Sequence, residues 1–195
     1  MIEGGEGTGK STQARLLADR LAGSGRPCTL TREPGGTTLG AEIRRLLLHT
    51  DDELDPRAEL LLMLADRAQH VRAVVEPALA AGDVVVCDRY TPSSLAYQGV
   101  GRGLGVEHVE RAADLATGGL APDLVVVLDL PDEVADARVA GEPDRMERAG
   151  MDFHRLVRDA YRQLAPLYGW ELVAAAGTRE AVAEAVWAAV RRVLP

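Results

Sequence analysis

The chain has 195 residues, 47% of them hydrophobic, which is enough for one well-buried domain and short for two. Thirty acidic residues against 22 basic ones give a net charge of −8. A broad surface of that sign repels phosphate backbones and anionic bilayers, which argues against nucleic-acid and membrane-surface binding and requires any anion to be met by a local cluster of arginines. Cys28 and Cys87 stand far apart without zinc spacing, no secretory segment is recognisable, and no apolar run approaches the roughly 20 residues of a membrane span. Cytoplasmic, reduced thiols are therefore expected.

In chain order, short apolar runs occur at 1–3 (MIE), 28–31 (CTLT), 84–87 (VVVC), 124–130 (LVVVLDL) and 171–173 (ELV). They are rich in Val and Leu without polar alternation, as strands buried on both faces are. Amphipathic helical patterns fill 12–22, 39–49, 56–81, 106–117, 152–168 and 178–193, while Gly35–Gly36 and the run GVGRGLG at 99–105 read as loops. The alternation predicts an α/β fold: a parallel sheet with helices on both faces, joined by right-handed crossovers, in a single domain.

The stretch GGEGTGKST, comprising Gly4, Gly5, Glu6, Gly7, Thr8, Gly9, Lys10, Ser11 and Thr12, fits G-x-x-x-x-G-K-[ST] between a strand and a helix. Backbone N–H groups of such a loop wrap phosphate oxygens, and the helix N-terminus adds its dipole. Lys10 is the only lysine in the chain. Its compact ammonium can span the β- and γ-phosphates of a nucleotide where a planar guanidinium does not fit. The loop alone leaves ATPase, GTPase switch, transport motor and small-molecule kinase open. The chain contains no asparagine, so the asparagine-lysine guanine motif of small GTPases is absent. The run VVVC leads directly into Asp88, Arg89 and Tyr90. A carboxylate there could orient magnesium or its waters, and the arginine could bridge donor and acceptor phosphates.

The ordered motifs EGGEGTGKSTQ, TREPGGT, ADRAQH, DRYTPSSLAYQG and PDRME followed by DFHRLVRDAY resemble the bacterial thymidylate kinases over about residues 2–168. That resemblance implies a nucleoside-monophosphate-kinase fold with a five-stranded parallel sheet and a mobile lid at about 137–149. It also implies magnesium-dependent transfer from ATP to dTMP, and a homodimer. Residue by residue, it implies an ATP phosphate and magnesium site at Lys10, Ser11 and the loop glycines, and an acidic loop position at Glu6. Acceptor-phosphate arginines fall at Arg32 and Arg89, a thymine-edge arginine at Arg67, base-pocket positions at Ser94 and Gln98, and a tyrosine beneath the deoxyribose at Tyr97. The phosphate loop carries no arginine, so the resemblance favours the type that supplies it from the lid, here Arg138 and Arg145, with Arg148 a solvated helical residue.

Three positions depart from the family pattern. Only Met1 and Ile2 precede Glu3, so either the sheet tolerates a short first strand or the polypeptide starts upstream. Val139 and Ala140 stand where relatives often carry another lid arginine. Met63 stands where the family usually places a phenylalanine that stacks on thymine. Another small-molecule kinase and a nucleotide-dependent regulatory module without turnover are the alternatives from other classes. The arginines at 32, 67 and 89 argue against the second, because a module binding only ATP has no use for a second anion site.

Overall fold

The computed structural model describes residues 1–50, 53–138 and 145–194. Five strands form one all-parallel sheet: β1 (Ile2–Gly4), β2 (Cys28–Arg32), β3 (Val84–Asp88), β4 (Val126–Asp129) and β5 (Glu171–Ala174), in the order β2-β3-β1-β4-β5. Every apolar run identified in the sequence is a strand. β1 has only three residues, yet it sits at the centre of the sheet and pairs with both β3 and β4.

The helices are α1 (Lys10–Gly23), α2 (Thr38–His49), α3 (Pro56–His70), α4 (Glu76–Ala80), α5 (Thr91–Ser94), α6 (Val106–Thr117), α7 (Asp132–Arg138), α8 (Met151–Tyr168) and α9 (Arg179–Val190). A wider turn with i→i+5 hydrogen bonding at Val71–Val75 joins α3 to α4, and another at Leu95–Gly101 continues α5. Three starts are set by side-chain caps: Thr37 accepts from Gly40 N, Asp55 from Arg57 N beside Pro56 in the first turn, and Thr178 from Ala181 N. Among the described residues no helix is long and apolar enough to cross a membrane.

Alternation along the central strands explains why helices cover both faces. Ile2, Val86, Val126 and Leu128 pack with Leu17 and Leu21 of α1 and Val182 and Val186 of α9. Val125 and Val127 point the other way, into Val157, Ala160 and Tyr161 of α8 and the Ala96–Tyr97 turn. All strands end on the same side, so the sheet's carboxyl edge gathers the segments that carry chemistry. In the β2–β3 register Arg32 lies opposite Asp88, and in the β1–β4 register Gly4 lies opposite Leu128.

Two glycines with positive φ separate backbone strain from close approach. Gly169, which caps α8 at φ 68°, has nothing within 4 Å of an added Cβ. Gly4, at φ 136°, would place a Cβ 2.5 Å from the backbone oxygen of Leu128. Gly169→Ala should cost about 1–2 kcal/mol, the left-handed penalty alone. Gly4→Ala should cost distinctly more, because two central strands must part. Urea unfolding of the two variants checks this, and equal losses would contradict the close packing of β1 on β4.

Candidate active site

A cavity of about 290 Å³ opens at the carboxyl edge, lined from one side by Glu6, Lys10, Ser11, Asp88 and Arg89 and from the other by Met63, Arg67, Ser94, Tyr97 and Gln98. Arg32 lies on the same wall. The phosphate-loop residues and the polar positions expected to hold a second nucleotide therefore share one space.

The loop between β1 and α1 is held by its own polar atoms. Thr8 Oγ1 donates to Gly5 O at 2.9 Å, and Lys10 Nζ donates to the same carbonyl at 2.6 Å. Burial pushes the Lys10 ammonium below its ordinary pKa and the Arg89 charge adds to that, while Glu6 and Asp88 oppose both. Gly9, at φ 88°, leads the chain into α1. Beneath the loop, the buried Arg158 of α8 packs so closely that a Cβ on Gly5 would lie 2.9 Å from its Cγ. Its Nε and Nη2 donate to Asp132 and Asp136 of α7 at 2.8 and 3.1 Å.

At the end of β3, Arg89 has φ 74°, the one positive value outside glycine among the described residues. That turn sends its guanidinium back over β1, where Nη1 donates to Ser93 Oγ at 3.1 Å and Nη2 to Glu6 Oε1 at 2.5 Å and Tyr97 OH at 3.2 Å. The guanidinium carbon also lies 4.9 Å from the Tyr97 ring centre. Asp88, one residue earlier, accepts from Ser11 Oγ through Oδ2, and its Oδ1 is buried without a hydrogen-bond partner. A serine hydroxyl beside a carboxylate with one unsatisfied oxygen fits magnesium, which takes few protein oxygens and keeps waters and phosphates as its other ligands.

Two buried carboxylates back the opposite wall of the cavity. Glu33 accepts from Arg67 Nε at 2.7 Å and pairs with His70 Nδ1 at 2.8 Å, and His70 Nε2 reaches Thr31 Oγ1 at 2.7 Å. Arg67 also donates to Ser94 Oγ and Tyr90 O, each at 2.9 Å. Glu59 binds Gln98, Arg102 and Arg145. Met63 lies partly buried in the core beside the cavity, where it can present its thioether.

The structure separates the two lid arginines. Arg138 stands exposed at the end of α7, with Nη1 3.3 Å from Ala175 O and its Cβ 3.3 Å from where a Cβ on Gly7 would lie, beside the phosphate loop. Arg145 is turned away from that loop, donating from Nε to Leu47 O at 2.6 Å and from Nη2 to Glu59 at 2.7 Å. The assignment of Arg145 to the ATP phosphates thus meets a different arrangement, in which a buried carboxylate already holds the guanidinium. Arg148 is exposed. The lid expectation at about 137–149 falls partly on 139–144, including Val139 and Ala140, which lie outside the described residues.

Sequence reasoning missed Glu3, Glu33, Arg44 and Arg158. Glu3 is fully buried, accepting from Tyr90 N, Ser93 Oγ and Tyr161 OH. Burial outweighs those bonds and raises its pKa. A lone acid inside an apolar strand was the available signal. Arg44 lines the cavity from α2 and donates to Pro34 O at 3.0 Å, a position that an amphipathic pattern reads as surface.

Burial alone would raise the Glu6 carboxyl, but the Arg89 and Lys10 charges and the Tyr97 hydroxyl hold it at about 2. Because this lies below the ordinary value of 4.5, the stabilisation is complete above pH 4.5 and lost as pH falls toward 2. The shift corresponds to about 3 kcal/mol. The stability difference between the parent and Glu6→Gln should therefore shrink as pH falls from about 6 to about 3 in urea titrations. A constant difference would show that Arg89 does not hold Glu6 ionised.

The thymidylate kinase family model matches residues 2–186. The chain is 52% identical over 196 residues to the thymidylate kinase of Synechococcus sp. strain JA-2-3B'a(2-13), covering 100% of this chain and 94% of that one. It is 46% identical over 194 residues to the thymidylate kinase of Deinococcus radiodurans, covering 97% and 94%. The crystal structure of thymidylate kinase from Ehrlichia chaffeensis superposes with a TM-score of 0.78 at 31% identity, covering 97% of this chain and 95% of that one. With the phosphate loop, the five-stranded sheet order and these full-length matches in agreement, the chain belongs to the thymidylate kinase family.

Proposed function

We propose that the chain catalyses transfer of the ATP γ-phosphoryl group to dTMP, giving dTDP and ADP, from one kinase domain spanning 1–195 with its lid at about 137–149. The observation that carries this is the single cavity that opens onto both the phosphate loop and the Arg67–Ser94–Gln98 wall. Two polyanions have to meet in line, and the acceptor phosphate is already a nucleophile, so positioning and charge neutralisation carry the catalysis.

In this reading the loop N–H groups and Lys10 receive the β- and γ-phosphates. Ser11 and Asp88 hold magnesium, which when bound neutralises charge on those phosphates. Arg89 and Arg32 take the acceptor phosphate, and Glu6 fixes the Arg89 guanidinium in the direction that phosphate must approach. Tyr97 lies under the sugar, leaving little room for a ribose hydroxyl. Arg67, Ser94, Gln98 and Met63 surround the base. Arg138, whose backbone adjoins the loop, is the better placed of the two lid arginines to reach the transferring group. A cytoplasmic homodimer without nucleic-acid or membrane partners completes the proposal.

Coupled ADP-release assays across nucleoside monophosphates test the reading. dTMP should be the best acceptor, and a different preferred acceptor would move the chain to another kinase specificity. Lys10→Ala should keep the fold and lose at least about a hundredfold in kcat, since its contact strengthens as charge develops. Near-normal turnover in a folded variant would refute the role.

Arg138→Ala should lower kcat more than it raises the KM for dTMP, because its contact forms chiefly on closure. Unchanged turnover would exclude it. Met63→Phe should modestly lower the KM for dTMP, because aromatic stacking contributes about 0.5–1.5 kcal/mol and a thioether contact about 0.3–1.5 kcal/mol, ranges that largely overlap. Arg67→Ala is the harsher change, since it also strands the buried Glu33 carboxylate. Acceptor titrations at saturating ATP separate the two variants, and a larger KM change in Met63→Phe than in Arg67→Ala would assign base recognition elsewhere.

A further inference from the structure

Glu59 does not itself line the cavity, yet its carboxylate is fully buried on α3. Oε1 accepts from Gln98 Nε2 at 2.8 Å and Arg102 Nε at 3.3 Å, and Oε2 accepts from Arg102 Nη2 at 3.1 Å and Arg145 Nη2 at 2.7 Å. Burial alone would raise its pKa, but the bonds from Gln98, Arg102 and Arg145 hold it below the ordinary carboxylate value. Ionised, it can only accept hydrogen bonds. The Gln98 amide must therefore turn its NH₂ toward Glu59, because the opposite orientation would set a carbonyl oxygen against a buried carboxylate.

Gln98 is itself 1% exposed and lines the cavity. With Nε2 turned toward Glu59, the planar amide sets its carbonyl oxygen on the opposite edge, away from that carboxylate. A free glutamine reads donors and acceptors alike, whereas one with its amide fixed reads only donors. We propose that Glu59 is a specificity-determining positioning residue: by fixing the Gln98 amide it makes the base wall an acceptor, selecting pyrimidines whose ring N3 carries a proton and rejecting those whose N3 is a bare acceptor. Thymine and uracil belong to the first class and cytosine to the second. The inference rests on the nucleoside-monophosphate kinase reading above and deepens it. Arg102 and Arg145 keep the carboxylate charged and in place, which accounts for two arginines on a group that meets no phosphate.

The experiment compares kcat/KM for dTMP, dUMP and dCMP in the parent, Glu59→Gln and Gln98→Leu. Turnover of dTMP by the parent tests the underlying reading, and the ratios in the variants test the proposal. A glutamine at 59 can offer either a carbonyl or an amine to Gln98, so the amide is released to turn. The dTMP-to-dCMP ratio should fall about 10- to 100-fold, because an unmatched buried polar group is a strong rejector. The dTMP-to-dUMP ratio should stay within about twofold, because both bases carry the N3 proton and differ by a methyl that Gln98 does not read.

A merely structural Glu59 would move both ratios together or neither, and either result overturns the proposal. Gln98→Leu keeps Glu59 paired with both arginines and covers the case in which Glu59→Gln does not fold. It should lose the same discrimination against dCMP, and its retention would equally overturn the proposal.

Discussion

The site depends on the turn that Arg89 makes at the end of β3. A positive φ on a residue with a side chain costs about 1–2 kcal/mol. Here the backbone N–H of Arg89 is fixed to Ile2 O at 3.0 Å and its guanidinium to Glu6, Ser93 and Tyr97. The strained turn allows an arginine that follows Asp88 in the chain to lean across β1 and face the phosphate loop, while Asp88 itself stays with Ser11. Two consecutive residues are thereby divided, Asp88 toward Ser11 and Arg89 toward Glu6 and Tyr97. A relaxed extended residue at 89 would carry its side chain along the strand direction and leave Glu6 without its cation.

Acids position the cations throughout the molecule. Glu6 holds Arg89, Glu33 holds Arg67, Glu59 holds Arg102 and Arg145, and Asp132 and Asp136 hold Arg158. This makes sense of a net charge of −8 in a chain that belongs to a family of enzymes handling polyanions. The excess of acid is compatible with a cavity lined by Lys10, Arg32, Arg44, Arg67 and Arg89. Arginine suits such paired positions because its fork bonds a carboxylate on one side and keeps donors for a ligand on the other. Among the described residues, Lys10 has no carboxylate hydrogen-bonded to it and rests on the Gly5 carbonyl at 2.6 Å.

The sheet was legible because its strands read as unbroken apolar runs, the central β1 and β4 being nearly all buried while the edge strands β2 and β5 leave Leu30 and Leu172 exposed. The phosphate loop was legible because its spacing is dictated by backbone geometry. The segment Thr91–Gly101 was not legible as helix: residues 95–99 are buried on every side, so no polar face marks a period, and Pro92, Gly99 and Gly101 read as loop. The loop expectation at 99–105 therefore starts too early, since the wider turn runs through Gly101. α7 has seven residues, too few for a periodic pattern. The bond between Arg145 and Glu59 was not legible, because nothing local in the sequence marks a partner 86 residues earlier.

Arg138 and Arg145 flank residues 139–144, and their surroundings tie the two positions to different parts of the cavity. α7 is fastened under the phosphate loop by Arg158, and its last residue adjoins Gly7. Arg145 N donates to Leu48 O and its side chain to Leu47 O and Glu59, next to the wall that carries Gln98 and Met63. A displacement of the phosphate loop would therefore be felt first at Arg138, and a displacement of that wall first at Arg145, because packed side chains pass strain to the atoms they touch.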